Sequence, residues 1–269
     1  SFVSVIDGSQ LMKLGINNVS EALSLIPGVQ LQKESSGVPV LIFRGVEQKG
    51  EVKLMVDGVS INNAYRGSIY YYLNFPIELI KRIEVVRGPG SILYGSGAIS
   101  GIVNIISHAS ADTTKNKIFL SGGSDTYKGG AILSAKLEDF KISIDAYYKN
   151  CDQVLQNSID NTLKDYGIGL DLQNDYFTFL ARLKKSDTGL AYGLTYIPDE
   201  STNTRNNVNQ SIFAQLSYQN KISTKNKIRL SVGLNDYQQN IEEQLSSSIL
   251  GYSDYEEFSY FASAEILSN

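Results

Sequence analysis

From residue 115 onward, apolar and polar positions alternate with a period of two. Across 140–149, Phe140, Ile142, Ile144, Ala146 and Tyr148 share one face, and Lys141, Ser143, Asp145, Tyr147 and Lys149 the other. Ile212, Ala214, Leu216 and Tyr218 repeat the pattern. Ile228, Leu230, Val232 and Leu234 oppose Arg229, Ser231, Gly233 and Asn235. Phe258, Tyr260, Ala262, Ala264 and Ile266 oppose Glu257, Ser259, Phe261, Ser263 and Glu265. Such a period belongs to a sheet with one apolar and one polar face. It predicts roughly eight strands, near 115–123, 127–137, 140–150, 165–172, 176–186, 208–218, 226–237 and 256–267. The segments between them alternate in length: 138–139, 173–175 and 222–225 are short, whereas 151–164, 187–207 and 240–255 are long and polar. Short turns at one end and long loops at the other are the arrangement of a transmembrane β-barrel. A soluble sandwich also alternates, but seldom over strands this long with this asymmetry.

The first 107 residues follow a different pattern, that of a small α+β domain. A β-branched strand over 2–6 ends at Asp7-Gly8, and Ser9 is the expected cap of a helix bearing Leu11, Met12 and Leu14, closed by Gly15. Ser20 is the expected start of a second helix, with Ala22, Leu23, Leu25 and Ile26, stopped by Pro27-Gly28. Strands are predicted at 29–32, 39–44, 53–56 and 59–61, the last two joined by a tight turn at Asp57-Gly58. An aromatic, polar loop follows over 62–72, and Pro76 opens a helical turn. Two apolar strands, 82–86 and 102–106, are joined by a turn containing Gly88, Gly90, Gly95, Gly97 and, at its end, Gly101. This turn is not a phosphate cradle. It lacks the third fingerprint glycine, no Gly-Lys-Ser/Thr follows, and Pro89 removes an N–H.

Composition narrows the function classes. The 269 residues are 42% hydrophobic and include 17 Tyr and 10 Phe but no Trp, a choice suited to sheets at a water boundary. A net charge of −4 does not supply the basic face that nucleic acid requires. With one Cys (Cys151) and one His (His108), neither an internal disulfide nor a Cys/His zinc site or Cys–His dyad can be assembled. No run reaches the ~18 apolar residues of a membrane helix.

Five segments in order resemble the plug domain of TonB-dependent outer-membrane receptors: Ala22-Leu-Ser-Leu-Ile-Pro-Gly-Val, Ile42-Phe-Arg-Gly, Lys53-Leu-Met-Val-Asp-Gly-Val, Ile80-Lys-Arg-Ile-Glu-Val-Val-Arg-Gly-Pro and Leu93-Tyr-Gly-Ser-Gly-Ala-Ile-Ser-Gly-Ile-Val-Asn-Ile-Ile-Ser. The resemblance implies a plug over 1–107 followed by the N-terminal part of an outer-membrane barrel over 108–269. Roughly 22 strands are expected in the whole barrel, of which this chain holds about eight. The chain is therefore expected to be a fragment, its natural N-terminus trimmed. The TonB-contacting box, expected ahead of the plug, lies outside it.

The implied function is active uptake of a scarce chelate across the bacterial outer membrane. An iron–siderophore complex is the first expectation, with cobalamin or haem next and a passive porin or adhesin as the reading from another class. The implied partners are TonB, an extracellular chelate or vitamin, and outer-membrane lipid. Nucleic acid is not among them, and the receptor is expected to be a monomeric non-enzyme without cofactor or metal centre. By the family's pattern, the loops carrying Ser35, Ser36, Asn62, Asn63, Tyr65, Arg66, Tyr70 and Tyr71 face the ligand, with Tyr72 beside them. Arg44 and Arg87 match plug arginines that pair with barrel carboxylates as a latch, and Glu84 is counted with them. The alternative for these charges is an exposed strand surface, where a pair contributes little.

Overall fold

The computed structural model describes residues 2–33, 39–43, 45–47, 51–62, 72–88, 90, 97–110, 116–155, 159–190, 205–223, 226–246 and 249–268. Strand β1 (Phe2–Asp7) leads into helix α1 (Gly8–Lys13) and then helix α2 (Val19–Ser24). The caps differ from the expectation by two residues. Asp7 accepts the Ser9 N–H at 2.8 Å, and Asn18 accepts the Glu21 N–H at 2.9 Å. In return Glu21 accepts from the Asn17 backbone and from the Asn18 amide. Carboxylate and carboxamide outcompete the neighbouring serine hydroxyls because each stands just ahead of the first turn, where the orphan donors point.

Strands β2 (Val29–Lys33), β3 (Pro39–Phe43) and β4 (Val46–Glu47) form a three-stranded sheet. A second sheet has the order β1-β7-β8-β5-β6, with β5 (Val52–Val56), β6 (Val59–Ser60), β7 (Ile80–Arg87) and β8 (Gly101–Ser107). Within it β5 and β8 run parallel and the other pairs antiparallel. A 3-10 turn at Ile77–Leu79 feeds β7. The β5–β6 turn is the predicted one. Asp57 and Gly58 both take positive φ, 51° and 85°, as a tight hairpin connection requires. Leu11, Leu23, Leu54, Val56, Ile77, Leu79, Ile83, Val85, Val103 and Ile105 make the plug core, all fully buried or nearly so.

The second half is one antiparallel meander, β9 (Lys117–Gly122), β10 (Thr126–Leu137), β11 (Phe140–Leu155), β12 (Ile159–Gln173), β13 (Phe177–Leu190), β14 (Arg205–Lys221), β15 (Asn226–Ser246) and β16 (Ile249–Ser268). The eight strands and their short turns match the sequence reading. Their lengths do not: β15 has 21 residues and β16 has 20. Segments 151–164 and 240–255, expected as loops, are mostly paired strand, with Val154 opposite Asp160 and Gln244 opposite Leu250. At ~3.4 Å per residue, twenty residues outrun the ~25 Å apolar band of a barrel. Beyond that band both faces meet water, so strand continues where alternation stops.

Burial on this sheet is inverted. Ile168 is 58% exposed and Val232 55%, whereas Lys141, Asp145, Asp165, Asp171, Arg182 and Lys184 are buried. The buried face packs on the plug, and one apolar cluster runs from the plug core into the wall through Ile132, Tyr147, Leu180, Phe213 and Tyr237. Phe75 of the plug meets Tyr147 edge-on, with centroids 5.6 Å apart.

Candidate functional site: the plug–wall interface

Two anionic points on the plug are held by cations on the wall. The first is Asp57, in the β5–β6 turn. Its backbone N–H donates to the Ile105 carbonyl at 2.8 Å, and its Oδ1 accepts the Ser107 N–H at 2.7 Å. These bonds aim Oδ2 at the wall. There Arg182 of β13 donates to it from Nε (3.2 Å) and Nη2 (3.0 Å), and from Nη2 to the Ser107 hydroxyl (2.8 Å). Arg182 is also held by its own wall. Nη1 donates to both oxygens of Asp145 on β11, at 3.0 and 2.9 Å, and Nη2 lies 3.4 Å from Asp171 on β12. Three carboxylates thus share one buried guanidinium, whose rigid fork suits several acceptors at once.

The second point is Glu78, in the 3-10 turn. Lys128 of β10 donates to its Oε1 at 2.8 Å and to Asn17 at 3.1 Å, and Lys117 of β9 donates to its backbone carbonyl at 2.8 Å. Between the two points lies a wall pair, Lys184 with Asp165, whose carboxylate also accepts from the Tyr147 hydroxyl at 3.3 Å. The buried ring of Tyr72 on the plug sits 5.8 Å from the Lys184 ammonium. Burial pushes the Tyr72 phenol well above its ordinary range, so it stays neutral. At the plug–wall join, burial foremost and then Lys117 and Lys81 lower the His108 imidazole to about 4.

Of the residues singled out from the sequence, Ser35, Ser36, Arg44, Asn63, Tyr65, Arg66, Tyr70 and Tyr71 lie outside the described residues. Asn62 is described: its carboxamide accepts the Leu54 N–H and donates to the Val52 carbonyl, both at 2.7 Å. It thereby continues the pairing along β5 past the end of β6. Arg87 donates to the Pro27 carbonyl at 2.9 Å and the Ser4 hydroxyl at 3.2 Å, and Glu84 pairs with Arg82 at 2.7 Å; all of these partners belong to the plug. Among the described residues, the ion pairs from plug to wall place plug carboxylates on wall cations, Asp57 on Arg182 and Glu78 on Lys128. The sequence pattern marks Asp57 only as a turn residue and does not single out Arg182 or Lys128. The available signal was charge on the polar face of strands that also carry an apolar face.

A sheet apolar outside and charged inside, seated on a globular α+β domain, is an outer-membrane barrel wall with its plug. Residues 1–102 match the TonB-dependent receptor plug domain model; this part of the chain is such a plug, and the strands after it share the fold of part of a receptor barrel. It is similar to a vitamin B12 transporter of Vibrio vulnificus, 32% identical over 126 residues that make up 46% of this chain and 20% of that protein. Two solved structures share the fold at 13% identity. The ferric-catecholate import receptor Fiu of E. coli K12 has a TM-score of 0.69, over 98% of this chain and 45% of its own. The siderophore receptor PiuA of Acinetobacter baumannii has a TM-score of 0.71, over 98% and 42%. The chain spans less than half the length of each of these three proteins.

Proposed function

We propose that this chain is the plug and first wall of an active importer that takes up a scarce chelate. A ligand from outside binds the segments carrying Ser35, Ser36, Asn62, Asn63, Tyr65, Arg66, Tyr70 and Tyr71. TonB then transmits energy that displaces the plug, and the ligand passes. No covalent step is involved. The observation that carries this reading is the interface itself, a stopper joined to the wall by discrete ion pairs, Asp57–Arg182 and Glu78–Lys128. Ion pairs hold a seated plug, and the carboxylates it carries are solvated once it leaves. A permanently open porin has no use for such a stopper. Arg44 and Arg87 remain latch candidates toward further strands of the barrel.

An iron–siderophore complex is the first ligand class, in keeping with the siderophore receptors that share the fold. Cobalamin is the second, favoured by the identity to the vitamin B12 transporter. Growth of a receptor-deletion strain, complemented with the full-length gene, on a panel of ferric siderophores and on cobalamin discriminates them. TonB-dependent growth on one class is expected. Growth that is indifferent to TonB, or steady ion conductance in liposomes with the plug in place, would overturn the importer reading.

A further inference from the structure

The Arg182 cluster holds more acid than it needs. The plug gives Arg182 Asp57 and the Ser107 hydroxyl, while the wall gives Asp145 on two bonds and Asp171 on a long one of 3.4 Å. The other oxygen of Asp171, Oδ1, is buried with no hydrogen-bond partner. A buried carboxylate with one long contact and one bare oxygen is poorly satisfied, and such groups call for an explanation. Were the cluster only a structural brace, Asp171 would serve it through its single long bond to Arg182.

We propose that Asp171 is a standby acceptor and the Asp57–Arg182 contact a partner-exchange latch. When the plug leaves, Nη2 loses Asp57 and Ser107 and closes onto Asp171, so the wall cation is never stranded in the lumen. Asp57 departs into water, where its charge is solvated. The exchange lowers the barrier to release, because breaking a buried pair is expensive chiefly through the charge left behind. It makes reseating reversible by the same route. This proposal rests on the reading of the plug as a displaceable stopper.

Gly169 is the positioning residue of this latch. Asp145, Gly169 and Arg182 stand opposite one another on β11, β12 and β13. A Cβ on Gly169 would overlap both Arg182 Nη1 and Asp145 Oδ2. A side chain there would make both tips shift, so glycine lets the ion pair cross β12 undisturbed. Two positions earlier, Gly167 gives the same passage to the Tyr147 ring, which would lie 2.7 Å from an added Cβ. The Gly-Ile-Gly run in β12 is thus a groove across which neighbours reach.

The test is amide hydrogen exchange in the detergent-solubilised full-length receptor, reading plug strands β5 and β8 against barrel strands β13 and β14. Asp57→Asn keeps the shape and the tolerance for positive φ, and is expected to speed plug exchange about tenfold. Arg182→Gln is expected to do the same, and the double variant no more than either alone. Gly169→Ala should speed plug exchange in the same sense as Arg182→Gln, by less. Asp171→Asn should act in the opposite sense, slowing plug exchange about threefold, since Arg182 then has one competitor fewer and no standby. A brace predicts that both asparagine variants speed exchange, so acceleration by Asp171→Asn overturns the proposal, as does unchanged exchange in Asp57→Asn. Should Arg182→Gln fail to assemble, the two asparagine variants still decide. The readout is plug opening rather than import, so failure of this latch and failure of the uptake reading are separate results.

Discussion

The plug and the wall obey opposite burial rules with the same residue alphabet. In the plug, Leu54, Ile83 and Val103 are buried and Lys13 and Gln10 face outward. In the wall, Asp165 and Lys184 are buried and Ile168 and Leu216 face outward. What differs is the medium beyond the sheet. A soluble domain exposes polar groups to water, while a barrel exposes apolar groups to lipid and turns its polar face inward. Alternation alone therefore establishes strands and the existence of two faces, but not which face is the inside. The adjoining plug decides that, because it occupies the polar side.

The largest test of this inversion is Lys184→Ala. It leaves Asp165 fully buried with only the Tyr147 hydroxyl as a hydrogen-bond donor, and is expected to destabilise the barrel by about 3 kcal/mol. Replacing both partners, Lys184→Leu with Asp165→Leu, should restore part of the loss, since the pair's own charges go together while Lys149, buried opposite Asp165, loses that carboxylate. Urea unfolding in micelles reads both variants. Equal damage by single and double variants would mean that the wall does not treat this pair as a unit.

Next comes Ile168→Lys, on the outward face of β12. By the plug's rule, a lysine at a 58% exposed position is harmless. By the wall's rule it places a charge against lipid, at a cost of about 2–4 kcal/mol if Ile168 lies near the midplane. Folding into lipid vesicles distinguishes the two, and undiminished folding of Ile168→Lys would return this sheet to the soluble class. A smaller effect belongs to the plug alone. Asn18→Ala removes the cap of α2 and should lower plug stability by about 1 kcal/mol without altering barrel exchange.

The sequence revealed elements more fully than partnerships. The plug motifs were legible because turns and caps are local: Asp57-Gly58 announces its hairpin wherever it occurs. The strands were legible because period two is local as well. Their ends were not, since alternation vanishes where both faces meet water, as at Gln238–Asn240 within β15. The latch was legible only as an expectation that charged plug residues would meet opposite charges on the wall. Asp57 and Arg182 are 125 positions apart, and Asp145 and Arg182 are 37 apart. Their meeting depends on strand register and on the empty position at Gly169, neither of which a single residue's neighbourhood encodes.

The smallest expected effect tests the seam where the two rules join. His108 follows β8, its N–H on the Leu79 carbonyl at 2.9 Å, and it is about half buried. Burial foremost, then Lys117 and Lys81, depress its pKa from 6.5 to about 4, with Asp7 opposing them. The folded state thus holds His108 neutral while the unfolded chain protonates it between pH 6.5 and 4. Unfolding takes up a proton in that window, so this contribution is whole above pH 6.5 and is lost as pH falls toward 4. Solvent screening at a half-exposed site limits it to at most on the order of 1 kcal/mol. Wild type should lose stability between pH 7 and pH 5, and His108→Gln should lose less, because glutamine has no proton to take up. Asp7, whose carboxyl is held below its ordinary value by the Ser9 hydroxyl first, titrates below this window and does not imitate the effect. If His108→Gln lost as much as wild type, the imidazole would be facing water at the seam, and the plug's burial rule would end before residue 108 rather than beyond it.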